Sequence, residues 1–466
     1  MKQGEVRVRI APSPTGYFHI GTARTALFNY LYALKTGGKF YLRIEDTDKE
    51  RSEKKYEEDI LEGMKWLGFT YEPEVLRQSE RGEIYGKYVR KLLEAKKAYY
   101  CFCSKELLDK EREEQMAKKM PQVYSGRCRN LSEGEIEEKF AKGERAVVRI
   151  MTPLMEITFS DAIRGEVKFD TQYIGDFAIA KNADGKTLEA LYHLAVVIDD
   201  YETNITLVIR GEDHLANTPK QILIQEALDL PRPEYAHLPL ILDEKRAKLS
   251  KRFAATALSD YRKEGYLPEA MRNFLTLLGW HPVDDKEIFT LEEIAAEFTL
   301  ERIQKGGAIF DGKKLRFLNA HYLRSKSDVE LAGLLEIEVT EQNCKKIAAV
   351  KERMDTLSQF SILTDFFDAL PEYPAERLIW KKSDKETTGK NLLKISEIFN
   401  TNNNFSQAKM AIETYAEEEG RGEVLWPLRV ALSGKEASPG PIEIMEVLGL
   451  AESQERVKKA LKNLGF

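Results

Sequence analysis

The sequence predicts a multidomain protein in which an α/β part with a parallel sheet is interrupted by an α+β insertion and followed by an all-α part. Three observations predict this arrangement. Strand and helix patterns alternate over about the first hundred residues, short strands separated by polar turns follow, and helical spacing prevails from Pro268 onward. A single hydrophobic core stops growing at roughly 250 to 300 residues, so a chain of 466 residues is long enough for several domains.

The composition is that of an ordinary globular protein, with 42% hydrophobic and 32% charged residues. The net charge of -6 neither supports nor excludes a nucleic-acid partner, because lysines and arginines can cluster on one face. No apolar run reaches the roughly 18 residues of a membrane span, and the N-terminus lacks the apolar core of a secretion signal. Four cysteines do not make a disulfide framework in a chain of this length. These features predict a cytoplasmic protein that has no membrane partner.

A strand, a turn and a helix are predicted near the N-terminus. Apolar residues alternate with arginines over 6–10, the period of a strand, and the proline- and glycine-containing segment 11–16 cannot continue it. Apolar residues then recur at helical spacing over 23–34. In an open parallel sheet, ligands bind beyond the carboxyl ends of the strands, where helix N–H groups face anions. His19 and Gly21 fall at this point of the sequence.

A second strand is predicted over 40–44, followed by a run of carboxylates and threonine over 45–48. A helix over 56–64 comes next and stops at Gly68. This order completes a βαβα start, which is typical of a parallel sheet.

The predicted insertion contains three short strands, over 146–150, 157–159 and 167–169, which polar turns separate. Beyond it, two apolar runs of strand length, 191–198 and 205–209, predict that the sheet resumes. The first run ends in two aspartates and the second in an arginine, which again places charged groups at the ends of strands.

Residues 245–252 carry five cations among small and polar neighbours, a pattern that suits a mobile phosphate-binding loop. An isolated run of this kind is usually a solvated basic turn. From about Ser325 onward the sequence lacks strand alternation, so the C-terminal third is predicted to be all helix.

Two motifs resemble the signatures of the class I aminoacyl-tRNA synthetases. The run Phe18–Thr22 is similar to the first signature, with a threonine in place of its last histidine. The run Lys248–Arg252 is similar to the second signature, which favours the phosphate-binding interpretation of the lysine loop. Within this class, Arg9–Gly16 and 425–434 resemble the glutamyl-tRNA synthetases, and the resemblance spans almost the whole chain.

The resemblance implies five regions along the chain. They are the first half of a Rossmann-type catalytic domain (1–105), a connective insertion that grips the tRNA acceptor end (106–190), the second catalytic half with the lysine loop (191–254), a helical stem-contact domain (255–324) and a helical anticodon-binding domain (325–466).

The resemblance also implies an ATP-dependent ligase that joins L-glutamate to its tRNA. The reaction would pass through a glutamyl-adenylate and end at the 3′-terminal adenosine of the tRNA. Positioning and cationic stabilisation carry such phosphoryl chemistry, so we expect His19, Lys248 and Lys251 to be catalytic, with Mg²⁺ sharing the charge. The expected ATP-binding residues are Thr15, His19, Gly21, Lys248, Ser250 and Lys251.

Choosing glutamate requires a cation for its side-chain carboxylate, and a buried arginine can hold that group in a bidentate fork. Arg9 is conspicuous because a central strand ought to be apolar on both faces. The family implies six glutamate-binding residues, namely Arg9, Ala11, Ser13, Glu45, Tyr192 and Arg210. The two arginines are assigned to the side-chain carboxylate and Glu45 to the α-ammonium group. Ser13 and Tyr192 are assigned to hydrogen bonds.

Three cysteines in the insertion match the spacing of a zinc site found in some family members. Cys101 and Cys103 are followed after 24 residues by Cys128, and a histidine-like ligand would come two positions later. Asn130 occupies that position, and asparagine is a poor zinc ligand. Zinc with an unidentified fourth ligand and a degenerate site without zinc both stay open. Cys344 is interpreted as a lone thiol.

Several alternatives remain at this stage. In the first alternative, the enzyme charges the glutamine tRNA as well as the glutamate tRNA. In the second, it is a glutaminyl-tRNA synthetase. In the third, it is a tRNA-binding protein on an inactive synthetase scaffold. The helical tail disfavours the second alternative, since that relative usually carries C-terminal β-barrels, and intact His19 and Lys251 disfavour the third. For the arginines of the first strand, the alternative is an edge strand with solvent-facing side chains. The resemblance also implies a monomer, which is the usual state in this family.

Overall fold

A computed structural model describes residues 4–48, 50–249, 257–381 and 383–466 of the chain. The strands are β1 (Arg7–Ile10), β2 (Lys39–Ile44), β3 (Leu76–Arg77), β4 (Ala98–Cys101), β5 (Ala146–Ile150), β6 (Glu156–Asp161), β7 (Gly165–Asp170), β8 (Ala178–Ala183), β9 (Glu189–Ala190), β10 (Leu207–Gly211), β11 (Glu234–Leu238), β12 (Ile241–Leu242) and β13 (Ala308–Ile309). The α-helices are α1 (Ile20–Thr36), α2 (Lys54–Trp66), α3 (Gly82–Glu94), α4 (Lys105–Ala117), α5 (Glu133–Ala141), α6 (Tyr192–Glu202), α7 (Thr218–Ala227), α8 (Leu258–Lys263), α9 (Pro268–Leu277), α10 (Leu291–Glu297), α11 (Gly312–Ser325), α12 (Asp328–Leu334), α13 (Glu341–Val350), α14 (Gln359–Asp368), α15 (Lys385–Thr401), α16 (Phe405–Glu419), α17 (Arg421–Ser433) and α18 (Pro441–Leu464).

The chain forms two compact units. The first contains Met1–Arg262 and Pro268–Gly312, and the second contains Lys263–Leu267 and Lys313–Phe466. None of the helices in the described part of the chain has the length and apolar content that crossing a bilayer demands.

A parallel sheet forms the centre of the first unit. β1 pairs in parallel with β2, and the N–H of Thr206 donates to the carbonyl of Arg7 (2.9 Å), which sets β10 along the other side of β1. β10 in turn pairs in parallel with β11, so that Arg210 lies opposite His237. β1 is therefore an interior strand, and Arg9 is only 4% exposed. The alternative of an edge strand with a solvent-facing arginine is wrong for Arg9.

The strands predicted over 146–150, 157–159 and 167–169 are confirmed as β5, β6 and β7. They belong to two different sheets. β5 lies in an antiparallel sheet with β4, β8 and β9, whereas the β6–β7 hairpin extends the sheet of β10 and β11 through the parallel pairing of β6 with β11. Asp161, the last residue of β6, is thereby brought to the central sheet.

Helix α1 begins where the sequence predicts it, directly after the turn that follows β1. The imidazole Nδ1 of His19 accepts from the N–H of Gly21 and caps the helix, as short polar acceptors do at this position. The helix ends at Gly37, whose φ of 62° lets its N–H reach two carbonyls of the last turn. The N-terminus of α1 is thus fixed beside the carboxyl end of β1.

The strand predicted over 191–198 is wrong, because these residues form most of helix α6. Every residue from Leu194 to Asp200 is buried, since the helix packs against α3, α7 and the sheet of β5 and β8. A helix that is covered on all sides carries no polar stripe, so its apolar run is indistinguishable from that of a buried strand.

The second unit is helical, as predicted: between residues 326 and 466, the described positions contain no strand. Arg456 of α18 is 2% exposed and joins the ends of two other helices. Its Nη1 donates to the carbonyls of Phe366 and Leu432 (both 2.7 Å), and its Nε donates to Glu452 (2.8 Å). The last carbonyls of a helix have no partner within that helix, so this guanidinium satisfies the ends of α14 and α17.

We expect Arg456→Met to lower the free energy of unfolding of the helical unit by about 3 kcal/mol, because buried carbonyls without partners each cost about 1–3 kcal/mol. Urea unfolding followed by circular dichroism measures this change. Arg421→Met is the control, since the Arg421 side chain is mostly exposed. Equal unfolding midpoints for the two variants would contradict the assigned role.

Candidate active site

A cleft of about 420 Å³ opens at the carboxyl ends of β1, β2 and β10, beside the N-terminus of α1. This volume is typical of a small-molecule site. Nine residues predicted from the sequence line it, namely Arg9, Ala11, Ser13, His19, Gly21, Glu45, Tyr192, Arg210 and Lys248. They come from five separate segments of the chain, and the fold brings them to one place.

Of the other predicted ATP-binding residues, Thr15 is described and is not among those that line the cleft. Thr15 is exposed, and its N–H donates to the carbonyl of Ser13 (2.9 Å) within the turn after β1. Ser250 and Lys251 lie outside the described residues.

His19 lies at the mouth of this cleft with a defined tautomer. A backbone N–H can only donate, so Nδ1, 3.0 Å from the N of Gly21, is the acceptor and the ring proton of neutral His19 is on Nε2. A Cβ on residue 21 would come within 3.3 Å of this Nδ1, which explains the value of a glycine there. His19 can therefore present an N–H donor next to a helix N-terminus, a combination suited to phosphate.

The described residues on both sides of the lysine loop lie at the cleft. Leu249 lines it and pairs back to Ile241 (N to O, 3.0 Å), while Ala257 forms a β-bridge with His19. Lys248 is exposed, and its Nζ is 3.8 Å from the carboxylate of Asp213. At this distance and exposure the ion pair is weak, so Lys248 is able to exchange Asp213 for an anionic ligand.

A buried group of charges lies behind the cleft and includes residues that the sequence did not identify. Asp200, at the end of α6, accepts from Nε of Arg9 (3.2 Å) and from Nη1 of Arg43 (2.5 Å). Arg43 also pairs with Glu45 (3.0 Å). Burial favours the neutral form of Asp200, but Arg43 and Arg9 outweigh it and hold the pKa of this carboxyl below its ordinary value. The sequence feature that could have identified Asp200 is the pair of aspartates, Asp199 and Asp200, at the end of the apolar run 191–198.

The neighbouring carboxylate, Asp199, extends this group away from the cleft. It accepts from Arg81 (2.8 Å), Gln78 (2.8 Å) and the hydroxyl of Tyr85 (2.9 Å). Burial nevertheless raises the pKa of Asp199 above its ordinary value. These bonds tie α6 to α3 and to the segment after β3.

Arg210 is a buried cation of the cleft that has neutral hydrogen-bond partners among the described residues. Its Nε donates to Nε2 of His237 (3.1 Å) and its Nη2 to Oγ1 of Thr218 (2.8 Å), both neutral acceptors. Within the described part of the chain, no carboxylate oxygen lies within 4.0 Å of its guanidinium. Burial accordingly lowers the pKa of Arg210, which indicates a cation that would gain from an anionic ligand.

The imidazoles near Arg210 are held neutral. Burial lowers the pKa of His193 to about 4, and the positive charges of Lys220 and Arg210 lower it further. The pKa of His214, whose Nδ1 lies 3.0 Å from the hydroxyl of Tyr192, is also lowered to about 4, first by burial and then by Arg210. An apolar, positively charged environment disfavours a second cation and favours an anion.

Three sulfur atoms, from the end of β4 and from the segment around Cys128, lie together in a half-buried cluster. The Sγ atoms of Cys101, Cys103 and Cys128 lie within 4.8 Å of one another, which is compatible with thiolates around one tetrahedral zinc ion. The Tyr124 hydroxyl is 3.4 Å from two of these sulfurs, whereas Asn130 is exposed.

Comparisons with known proteins agree with this fold and cleft. A model for the catalytic domain of class I tRNA synthetases (E and Q) matches residues 5–317, and a model for an anticodon-binding domain matches residues 315–461. The part of the chain that forms the cleft and the surrounding sheet is thus a class I tRNA synthetase catalytic domain.

Several glutamate–tRNA ligases are similar to the chain over nearly its whole length. Glutamate–tRNA ligase 1 of Caldanaerobacter subterraneus subsp. tengcongensis is 43% identical over 98% of both chains. The glutamate–tRNA ligase of Carboxydothermus hydrogenoformans is 42% identical over 97% of this chain and 99% of the relative. A crystal structure of a glutamate tRNA ligase from Elizabethkingia meningosepticum in complex with its amino acid has a TM-score of 0.88 at 34% identity, over 99% of this chain and 100% of the other. The chain belongs to the glutamate–tRNA ligase family.

The neutral imidazole of His193 makes stability depend on pH. The unfolded chain binds a proton near pH 6.5, whereas the folded chain binds it only near pH 4, so the free energy of unfolding falls as the pH drops from 6.5 to 4. We expect His193→Gln to remove this contribution, which is on the order of 3 kcal/mol at pH 4 because one pKa unit corresponds to about 1.4 kcal/mol. Urea unfolding at several pH values measures it, with the exposed His281→Gln as control. Parallel pH profiles for the parent and His193→Gln would refute the expectation.

Proposed function

We propose that the chain attaches L-glutamate to tRNA in two steps. ATP and glutamate first form glutamyl-adenylate and pyrophosphate. A ribose hydroxyl of the 3′-terminal adenosine of the tRNA then attacks the glutamyl carbonyl, and the bond to AMP breaks with release of AMP. One observation carries the proposal: a buried arginine without a carboxylate partner, Arg210, shares one cleft with His19 and the N-terminus of α1. A carboxylate-bearing side chain and a triphosphate are the ligands that suit these two ends of the cleft.

At the amino-acid end, Arg210 binds the side-chain carboxylate of glutamate. Arg9, on the neighbouring strand β1, assists, although it is already paired with Asp200. Glu45 faces the same cleft and is assigned to the α-ammonium group. Burial raises the pKa of this carboxyl above its ordinary value against the opposing charge of Arg43, so an ammonium ligand would favour its ionised form. Ser13 and Tyr192 supply hydrogen bonds, and Ala11 leaves room for the substrate backbone.

At the nucleotide end, residues that present N–H groups and cations surround the triphosphate. His19 donates from Nε2, Gly21 lets the backbone approach, and Lys248 leaves Asp213 for a phosphate oxygen. By the family resemblance, Lys251, Ser250 and Thr15 complete this set. Mg²⁺ enters with the nucleotide as part of the substrate.

The first step needs position and charge rather than a covalent intermediate with the protein. An oxygen of the glutamate α-carboxylate attacks the α-phosphorus, the bond to pyrophosphate breaks, and negative charge grows on the phosphate oxygens. Lysines and the His19 N–H stabilise that charge in place of water, and the floor of the cleft keeps the attacking carboxylate in line.

In the second step, the tRNA is bound at several regions of the chain. We assign the acceptor end to the insertion over 106–190, the stem to 255–324 and the anticodon to 325–466. The glutamate tRNA is the proposed partner, in keeping with the names of the relatives. We propose that the active enzyme is a monomer and that it is located in the cytoplasm.

We expect Arg210→Gln to raise the glutamate KM about 100-fold, because a bidentate, charge-assisted contact is lost from a dry site. The ATP KM should stay within about threefold, since Arg210 is assigned to the amino acid and not to the triphosphate. ATP–pyrophosphate exchange in the presence of tRNA measures both constants. Arg232→Gln, outside the cleft, is the matched control. A glutamate KM within threefold of the parent value would exclude the proposed role of Arg210.

We further propose that Cys101, Cys103 and Cys128 bind one structural zinc ion, with the hydroxyl of Tyr124 in the fourth position. Zinc prefers four tetrahedral ligands, and the Tyr124 oxygen lies 3.4 Å from two of the sulfurs, whereas Asn130 is exposed. When bound, the ion would fix the segment around Cys128 to the end of β4.

Elemental analysis of the purified protein should find about one zinc per chain, and Cys103→Ser should lose it, because thiolates supply most of the affinity. Tyr124→Phe should keep the ion but release it faster to a chelator. Cys344→Ser is the control and should retain the full zinc content. Equal zinc contents in the parent and Cys103→Ser, or none in either, would reject the site.

A further inference from the structure

The side chain of Arg210 is held by a short chain of buried groups that ends at Asp161. His237 is fully buried, and its Nε2 lies 3.1 Å from Nε of Arg210. On the other side of the ring, Nδ1 lies 2.6 Å from Oδ2 of Asp161. The groups come from β10, β11 and β6, which are consecutive strands of the sheet.

The direction of each hydrogen bond follows from what each group can do. A guanidinium only donates, so Nε2 of His237 is an acceptor and the proton of the neutral ring is on Nδ1, where it is donated to Asp161. Burial lowers the pKa of His237 below its ordinary value, and the nearby charge of Arg210 adds to this, against the opposing hydrogen bond with Asp161. The imidazole is therefore neutral.

The Asp161 end of the chain is itself fixed. Its Oδ1 accepts from the N–H groups of Ile163 (3.0 Å) and Arg164 (2.8 Å), in the turn between β6 and β7. Its Oδ2 is 3.1 Å from the backbone N of His237. The carboxylate thus has no freedom to turn away from the imidazole.

These contacts occupy one edge of the Arg210 guanidinium and leave the other. Nε and Nη2 lie along the edge that donates to His237 and Thr218. Nη1 makes no hydrogen bond to any described residue, so the Nη1–Nη2 edge remains for a ligand in the cleft that Arg210 lines. Two parallel N–H donors at this edge match the two oxygens of a carboxylate.

The choice of a neutral acceptor has a physical consequence. A carboxylate placed directly on Arg210 would fix it equally well but would cancel the charge that attracts the substrate, as Asp200 does for Arg9. Histidine fixes the same edge and leaves the positive charge of Arg210 uncompensated.

We propose that His237 and Asp161 are positioning residues that aim Arg210 at the side-chain carboxylate of the amino acid and so set the affinity for glutamate. This inference rests on the proposed role of Arg210. The two residues act through Arg210 without touching the substrate, so they affect the glutamate KM and leave the binding of ATP alone.

The test compares His237→Phe with His237→Gln by ATP–pyrophosphate exchange in the presence of tRNA, using the full-length protein. We expect His237→Phe, which lacks an acceptor, to raise the glutamate KM about 10-fold or more, because a mispositioned arginine loses bidentate contact. The ATP KM should change by less than about twofold. His237→Gln offers an amide oxygen to Arg210 and should recover most of the affinity for glutamate.

Thr218→Val provides a second measurement that does not depend on the stability of the histidine variants. It removes the other acceptor on the same edge of Arg210 at nearly constant shape, and we expect the glutamate KM to rise about threefold or more. An unchanged glutamate KM in both His237→Phe and Thr218→Val, or equal rises in the glutamate and ATP KM values, would overturn the inference. If His237→Phe does not fold, an unchanged value in Thr218→Val alone overturns it.

The Arg210→Gln variant separates this inference from the proposed function. If Arg210→Gln raises the glutamate KM while His237→Phe and Thr218→Val do not, the positioning role fails and the role of Arg210 stands. If Arg210→Gln itself leaves the glutamate KM unchanged, the proposed function of Arg210 fails first.

Discussion

The ion pairs of Asp200 hold the catalytic unit together around its cleft. This buried carboxylate lies between Arg9 of β1 and Arg43 of β2, whose guanidinium groups would otherwise repel each other in a medium of low dielectric constant. Removing one partner of such a pair typically costs about 3–5 kcal/mol, because the remaining charge is buried without compensation. Asp200 belongs to the last turn of α6, so the same contacts dock this helix against the ends of two strands and bring Tyr192, its first residue, to the cleft.

Arg9 and Arg210, the two arginines that we assign to the amino acid, are compensated in different ways. Arg9 has a carboxylate partner within the protein, whereas Arg210 has the neutral acceptors His237 and Thr218. The positive charge of Arg210 is therefore left for a ligand. Burial lowers the pKa values of the neighbouring imidazoles, and the charge of Arg210 lowers them further, since a protonated histidine there would add a cation beside it.

Local sequence patterns predicted much of this architecture. The strand, turn and capped helix at the N-terminus, the short strands of the insertion and the helical second unit all follow from periodicity and from residues that end helices or strands. Helix α6 could not be found in this way, because burial on every side removes the polar stripe that separates a helix from a strand. The motifs also selected nine residues that line one cleft, and the assignment of Thr15 to ATP stays a prediction.

The sequence by itself determined which residue types follow each strand and where the chain turns, because these depend on neighbours a few positions apart. Only the tertiary structure decided which charges meet. Arg9 and Asp200 are 191 positions apart, and Arg210 reaches Asp161 through a histidine on a third strand. The partners of a buried charge are fixed by the order and register of strands and by the packing of helices on them, and no local pattern encodes that choice. The same packing decides that Arg9 is paired with a carboxylate within the protein while Arg210 bonds neutral acceptors.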